Sequence, residues 1–203
     1  MKIIRYTLLA DGSSDEALMS IIDWLINQHR PDVSVLGVFA RDIGKVGLDL
    51  ASRVPAALKN FPCDILFIHR DDEGQGIRRR LDEIVAVIGD SRTNYVPVIP
   101  VRMTESWLLS DLSAIRSAAG NISGKVDLKL PSKKQWETQA NSKAILFDAL
   151  IAASEKSGRA LKKFNPEKER AFVARRTRSF STLRGLSAFD FFESKLIEKL
   201  REI

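Results

Sequence analysis

Residues 64–74 read Asp-Ile-Leu-Phe-Ile-His-Arg-Asp-Asp-Glu-Gly: four apolar residues in a row, then a polar, acidic run closed by glycine. An unbroken apolar run of strand length, with no alternation, is the signature of a strand covered on both faces. The acidic run then marks a loop at that strand's carboxyl end. Working outward, Ile3–Leu9 is another short apolar run, followed by Asp11-Gly12-Ser13-Ser14, a turn sequence. Val33–Phe39 and Tyr95–Val101 read as two further strands. Between them lie helical patterns. Ala17, Leu18, Ile21, Ile22, Leu25 and Ile26 repeat at helical spacing up to about His29, with Ser13 or Ser14 as the expected cap. Val46–Lys59 is helical in pattern, with Pro55 expected to kink or shorten it, and Gly76–Ile88 carries Ile77, Leu81, Ile84, Val85 and Ile88 on one side. Strands separated by helices of this length imply right-handed crossovers. The expected class is α/β, a Rossmann-like parallel sheet of about four strands flanked by helices.

The rest of the chain reads as helical. Thr104 is placed to cap a helix running through Trp107, Leu108, Leu109, Leu112 and Ile115. Gly120–Ser142 is polar and is expected to loop over the surface. Helices are expected near Ser142–Ser154, Pro166–Arg178 and Ala188–Arg201, the last with Phe189, Phe192, Leu196, Ile197 and Leu200 in an apolar stripe suited to the core. The division is thus residues 1–120, an α/β domain, and 121–203, a basic helical extension packed on it.

Charge follows the same division. Residues 1–120 hold 14 Lys and Arg against 16 Asp and Glu, net −2, while 121–203 hold 18 against 10, net +8, which together give the chain's +6. Nine basic residues fall in Lys156–Arg178 against only Glu167 and Glu169. Carboxylates beside a basic arm suit a polyanion, with DNA and RNA not distinguished. The single cysteine, Cys63, excludes an intrachain disulfide framework, and two histidines make a His-rich metal site unsuited to one chain. No apolar run reaches membrane-span length and the first residues do not form a secretory signal, so the expected location is cytoplasmic.

In an open parallel sheet, ligands gather at the carboxyl ends of the strands. Three such ends carry acids: Asp11 and Asp15 after the first strand, Asp71, Asp72 and Glu73 after the third, Glu105 after the fourth. Convergence of Asp11, Asp71, Glu73 and Glu105 on one crevice would need a cation or a shared proton to relieve their repulsion, and oxygen-only donors suit Mg²⁺ or Mn²⁺. Arg70 and Arg102 would offset charge or hold a phosphate. His69 is read as a strand-end hydrogen-bonding residue, with general acid–base work as the sharper option. Each acid also has a plainer reading, as turn former, helix-dipole partner or solvated loop. Neither G-x-S-x-G nor G-x-x-x-x-G-K-[ST] occurs, which argues against a serine hydrolase elbow and a P-loop.

The phrases ADGSSDEAL and ILFIHRDDEG together resemble the Toprim (topoisomerase–primase) signature: an acidic residue and Gly after the first strand, and an Asp-x-Asp-like motif after the third. VPVIPVRMTESWLLSD, NSKAILFDALIAAS and STLRGLSAFDFFESKL extend the likeness to a Toprim-like group of small bacterial proteins, similar to the Toprim nucleases of anti-phage systems. The resemblance implies Mg²⁺- or Mn²⁺-dependent phosphodiester cleavage. Asp11, Asp15, Asp71, Glu73 and Glu105 are then the implied metal ligands, and Asp11, Asp71, Glu105, Arg70 and Arg102 the catalytic set. Lys162, Lys163, Arg170, Arg175, Arg176 and Arg178 would track the nucleic acid. Asp11 stands where the family usually has Glu, and Glu73 where it has the last Asp.

Three functions compete on these grounds. The first is a metal-dependent nuclease, an effector of anti-phage defence. The second is a non-catalytic module binding nucleic acid or an ATPase partner encoded nearby, with a degenerate site and Phe189, Phe191 and Phe192 as a docking face. The third, a phosphatase or phosphotransferase with Asp71 as nucleophile, leaves the basic arm without a use.

Overall fold

Parallel pairing is the arrangement that lets strands buried on both faces satisfy their backbones while helices return the chain. The computed structural model, which describes residues 2–89 and 93–203, has this architecture. Strands β1 (Lys2–Leu9), β2 (Val33–Phe39), β3 (Ile65–His69) and β4 (Tyr95–Val98) form one all-parallel sheet in the order β2-β1-β3-β4. Helices α1 (Leu18–His29), α2 (Leu50–Asn60) and α3 (Ile77–Ile88) are the crossovers. The expected α/β class is therefore the observed one.

Strand alternation divides the core in two. Ile4, Tyr6, Leu8, Ile65, Phe67, Val96 and Val98 turn to one face, with α1, while Leu9, Leu66, Ile68 and Ile99 turn to the other, with α2 and α3. The first face is also covered by the helical second half: α4 (Glu105–Leu108), α5 (Leu112–Ala118), α6 (Lys133–Trp136), α7 (Ser142–Ser154), α9 (Pro166–Arg176) and α10 (Ser187–Leu200), while α8 (Gly158–Lys162) buries none of its residues. Phe189 and Phe192 of α10 are fully buried. They meet Trp107 at ring-centroid distances of 5.5 and 6.1 Å, and Phe192 meets Phe67 at 6.1 Å. This stripe is core, so Phe189 and Phe192 are not a docking face.

Several local expectations are corrected. Neither Ser13 nor Ser14 caps the first helix. Gly12 takes that position before a 3₁₀ turn, Ser13–Ala17, and the Asp15 carboxylate reaches back to the Gly12 N–H at 3.0 Å. The second helix starts at Leu50, because Asp49 caps it by accepting from the Ser52 N–H at 2.8 Å. Pro55 lies inside α2 without ending it: Ala51 and Pro55 both face water, which serves the carbonyl left without a donor. The helix expected from Thr104 is two helices, broken at 109–111, with Asp111 capping α5 through the Ala114 N–H. Thr104 makes no cap hydrogen bond; its hydroxyl faces His69 Nε2 at 3.1 Å. The 120–142 stretch is not merely a surface loop, since it contains α6 and buries Leu128 and Trp136.

A charge-locked crevice at the strand ends

Strand order reverses direction at β1, so the β1 and β3 loops open side by side between diverging crossovers. The loop after β3 is held to the segment after β4 by a ladder that outlasts the strands. Arg70 N–H donates to Val98 C=O, Asp72 N–H to Pro100 C=O and Glu73 N–H to Arg102 C=O. Closing that ladder puts Glu73 at φ 54° and Arg102 at φ 65°, left-handed conformations that side chains rarely adopt. Gly74, at φ 77°, lies under the Arg102 guanidinium. Backbone strain thus collects where the loops meet.

Side chains knit the two loops together. Asp11 accepts from Arg70 Nη1 and from Arg53 Nη1, each at 2.9 Å. Arg70 continues to Glu83 at 3.2 Å, and Arg80 ties Glu83 at 3.2 Å to Glu73 at 2.8 Å. On the other face of β3, His69 is 1% exposed and lies between two acids, with Nδ1 3.5 Å from Asp15 and Nε2 3.2 Å from Asp71. Burial works against its positive charge. The hydrogen bond to Asp71 and the charges of Asp15, Asp71 and Asp11 outweigh that and hold its pKa above the ordinary histidine value. Asp72 is buried, and its Oδ1 has no hydrogen-bond partner; Arg70 Nε and His69 Nδ1 share that condition. Buried polar atoms without partners are costly, about 1–3 kcal/mol each, and three of them fall within residues 69–72.

The sites expected from sequence divide between two places. At the β1 and β3 ends, Asp11 pairs with Arg70 on one face of β3, while Asp15 and Asp71 flank His69 on the other; Glu73 and Arg102 belong to the strained loop segments beside them. Glu105, next to the Thr104 that faces His69, is buried and paired with the equally buried Arg170 of α9. That pair removes Glu105 from the carboxylate group and Arg170 from the solvent-facing basic arm. Lys162, Lys163, Arg175, Arg176 and Arg178 are exposed, and Arg175 comes within 3.7 Å of Glu16 in the turn beside the crevice. Trp107 packs in the core. Arg53, Arg80 and Glu83 were not among the expected residues. Each is a helix residue whose role depends on which strand end its helix meets, and no local spacing reveals that. Asp11, Gly12, Ser13, Arg41 and Arg53 line a depression of about 160 Å³ at the β1 and β2 ends.

Oxygen donors of this kind suit Mg²⁺ or Mn²⁺. Their arrangement does not: Asp11 is engaged by two guanidinium groups, Glu73 by Arg80 and Glu105 by Arg170. Among the described residues, no three His, Cys, Asp or Glu side chains form a metal-holding group. The residues as they stand do not fit a resident ion. Among the described residues, no helix is long and apolar enough to cross a membrane. No protein-family model matches the chain, and no curated protein or solved structure matches it significantly.

Proposed function

We propose that this protein acts on nucleic acid at the crevice between the β1 and β3 loops, as a phosphodiester-cleaving enzyme of the Toprim type in the cytoplasm. The observation that supports the reading is the placing of two charged groups, Asp11 with Arg70 and His69 with Asp15 and Asp71, at the switch point of a parallel sheet, over a strained loop. The basic residues of α8 and α9 support it further, because Arg175 brings that arm to the crevice's edge. A phosphodiester entering here takes over the guanidinium groups of Arg53 and Arg70 that Asp11 now holds. Asp71, one-third exposed at its side chain, accepts the proton of an attacking water, and buried His69 positions Asp71. The phosphorus–oxygen bond to the leaving sugar breaks as the water oxygen adds. Mg²⁺ or Mn²⁺ is the cofactor that the resemblance implies.

A second reading rests on one observation. Glu105 and Arg170 neutralise each other inside the protein, as suits a module that binds nucleic acid or an ATPase partner without cutting. Calorimetric titration of Mg²⁺ and Mn²⁺ into wild type and Asp71→Ala, with and without a DNA oligonucleotide, followed by incubation with plasmid and total RNA, separates the two. Cleavage by wild type and its loss in folded Asp71→Ala is the expected result. Binding without cleavage by wild type leaves the second reading standing, and absence of nucleic-acid binding removes the first reading and leaves only the ATPase-partner form of the second.

A further inference from the structure

The outer strand β2 is the one sheet edge in this fold whose sequence carries no protection. Val33–Phe39, VSVLGVF, has no charged residue and no proline. Edge strands without such guards are templates for pairing with another strand. The ladder on its inner side fixes which groups face out. Ala40 N–H donates to Leu8 C=O at 2.9 Å, and Leu8 is in register with Phe39. Residues of a parallel strand turn both backbone groups to the same side, alternately inward and outward. Leu36 and Val38 therefore bond to β1, while Val33, Val35, Gly37 and Phe39 turn theirs to the open edge.

Two of these outward groups are already engaged at opposite ends of the strand: Val33 N–H donates to Arg30 C=O at 3.3 Å, and Phe39 C=O accepts from Arg41 N–H at 2.8 Å. The remainder is self-complementary. An antiparallel pair of β2 strands about a two-fold axis through Leu36 sets Val35 opposite Gly37 of the second copy, where both exchange hydrogen bonds. It sets Val33 opposite Phe39 of the second copy, where Val33 C=O meets the Phe39 N–H. The two groups that such a pair would leave unmatched are the two already engaged.

Side chains agree with the same axis. Leu36 is 54% exposed and would sit beside Leu36 of the second copy, with Val38 and Ile3, 39% and 48% exposed, on the same face. Neither α2 nor α3 covers this corner of the sheet. At both ends the pairing puts Asp32, paired with Arg30 of its own chain, near Arg41 of the other copy, paired with Glu16 of its own chain. We propose that β2 joins β2 of a second copy of this chain through that axis, making one continuous eight-stranded sheet with the two crevices at opposite ends.

Sedimentation of the full chain tests the state, and cysteine cross-linking tests the register. Wild type at about 100 µM is expected to run at twice the 22.7 kDa chain mass. Leu36→Lys places two like charges across the axis and is expected to weaken self-association by about tenfold or more. Val35→Pro removes an outward N–H while sparing the β1 ladder, and is expected to do the same, with circular dichroism checking its fold. In a Cys63→Ser background, Leu36→Cys is expected to form a disulfide between copies, since side chains of a non-hydrogen-bonded antiparallel pair are close. Val38→Cys, set opposite Ser34, is not. A monomeric wild type, a dimer indifferent to Leu36→Lys, or equal cross-linking at positions 36 and 38 overturns the proposal.

Discussion

One face of the sheet is covered by helices drawn from nearly the whole chain; the other is covered only by the two crossovers nearest in sequence. On the first, Phe67 and Tyr6 meet at 5.2 Å, and Trp107, Phe189 and Phe192 close over the same strands. On the second, α2 and α3 reach Leu66, Ile68 and Leu9 but leave Ile3, Leu36 and Val38 in water. The aromatic face buries the largest side chains of the fold, Trp107, Tyr6, Phe67, Phe180, Phe189 and Phe192. The thinner one leaves room for the arginines of α2 and α3, Arg53 and Arg80, to reach the strand ends and hold the crevice acids.

Three measurements sharpen that contrast. Phe192→Ala empties the centre of the aromatic face and is expected to cost about 3–5 kcal/mol by urea denaturation. Ile84→Ala, fully buried on the thinner face, is expected to cost about 2–4 kcal/mol and less than Phe192→Ala, because a face with an open margin collapses around the gap more easily. Equal losses would mean that the two faces bear the fold alike. The smallest effect belongs to His69. Its folded-state pKa lies above that of the unfolded chain, so its charge contributes stability fully below about pH 6.5, and that contribution fades as pH rises through the folded value. Denaturation midpoints of wild type should therefore fall relative to His69→Gln as pH rises from 6.5 upward. Parallel curves would show that His69 is neutral when folded.

The sheet was legible because its signal is local. Val33–Phe39 is bounded as the sequence predicts, β1 starts one residue early, β3 runs Ile65–His69 rather than the expected Asp64–Ile68, and β4 ends at Val98 rather than at the expected Val101. The 104–115 region was misjudged for a physical reason: apolar residues at helical spacing mark what is buried, not whether the backbone runs unbroken, and Asp111 restarts the helix with its own cap. Asp11 and Asp71 were readable as a site from strand ends alone. The locking of each acid by a particular arginine was not, because Arg53 and Arg170 come from helices whose landing places depend on tertiary packing.

The order in which the aromatic face is completed bears on synthesis. Its strands are made by residue 98, but Phe192 is made roughly ninety residues later. At ribosomal speeds the bare face of Phe67 and Trp107 waits roughly five to twenty seconds for its cover. During that interval a nascent chain carries both an uncovered aromatic surface and an unguarded β2 edge. The α10 helix is thus the last piece to close the aromatic face.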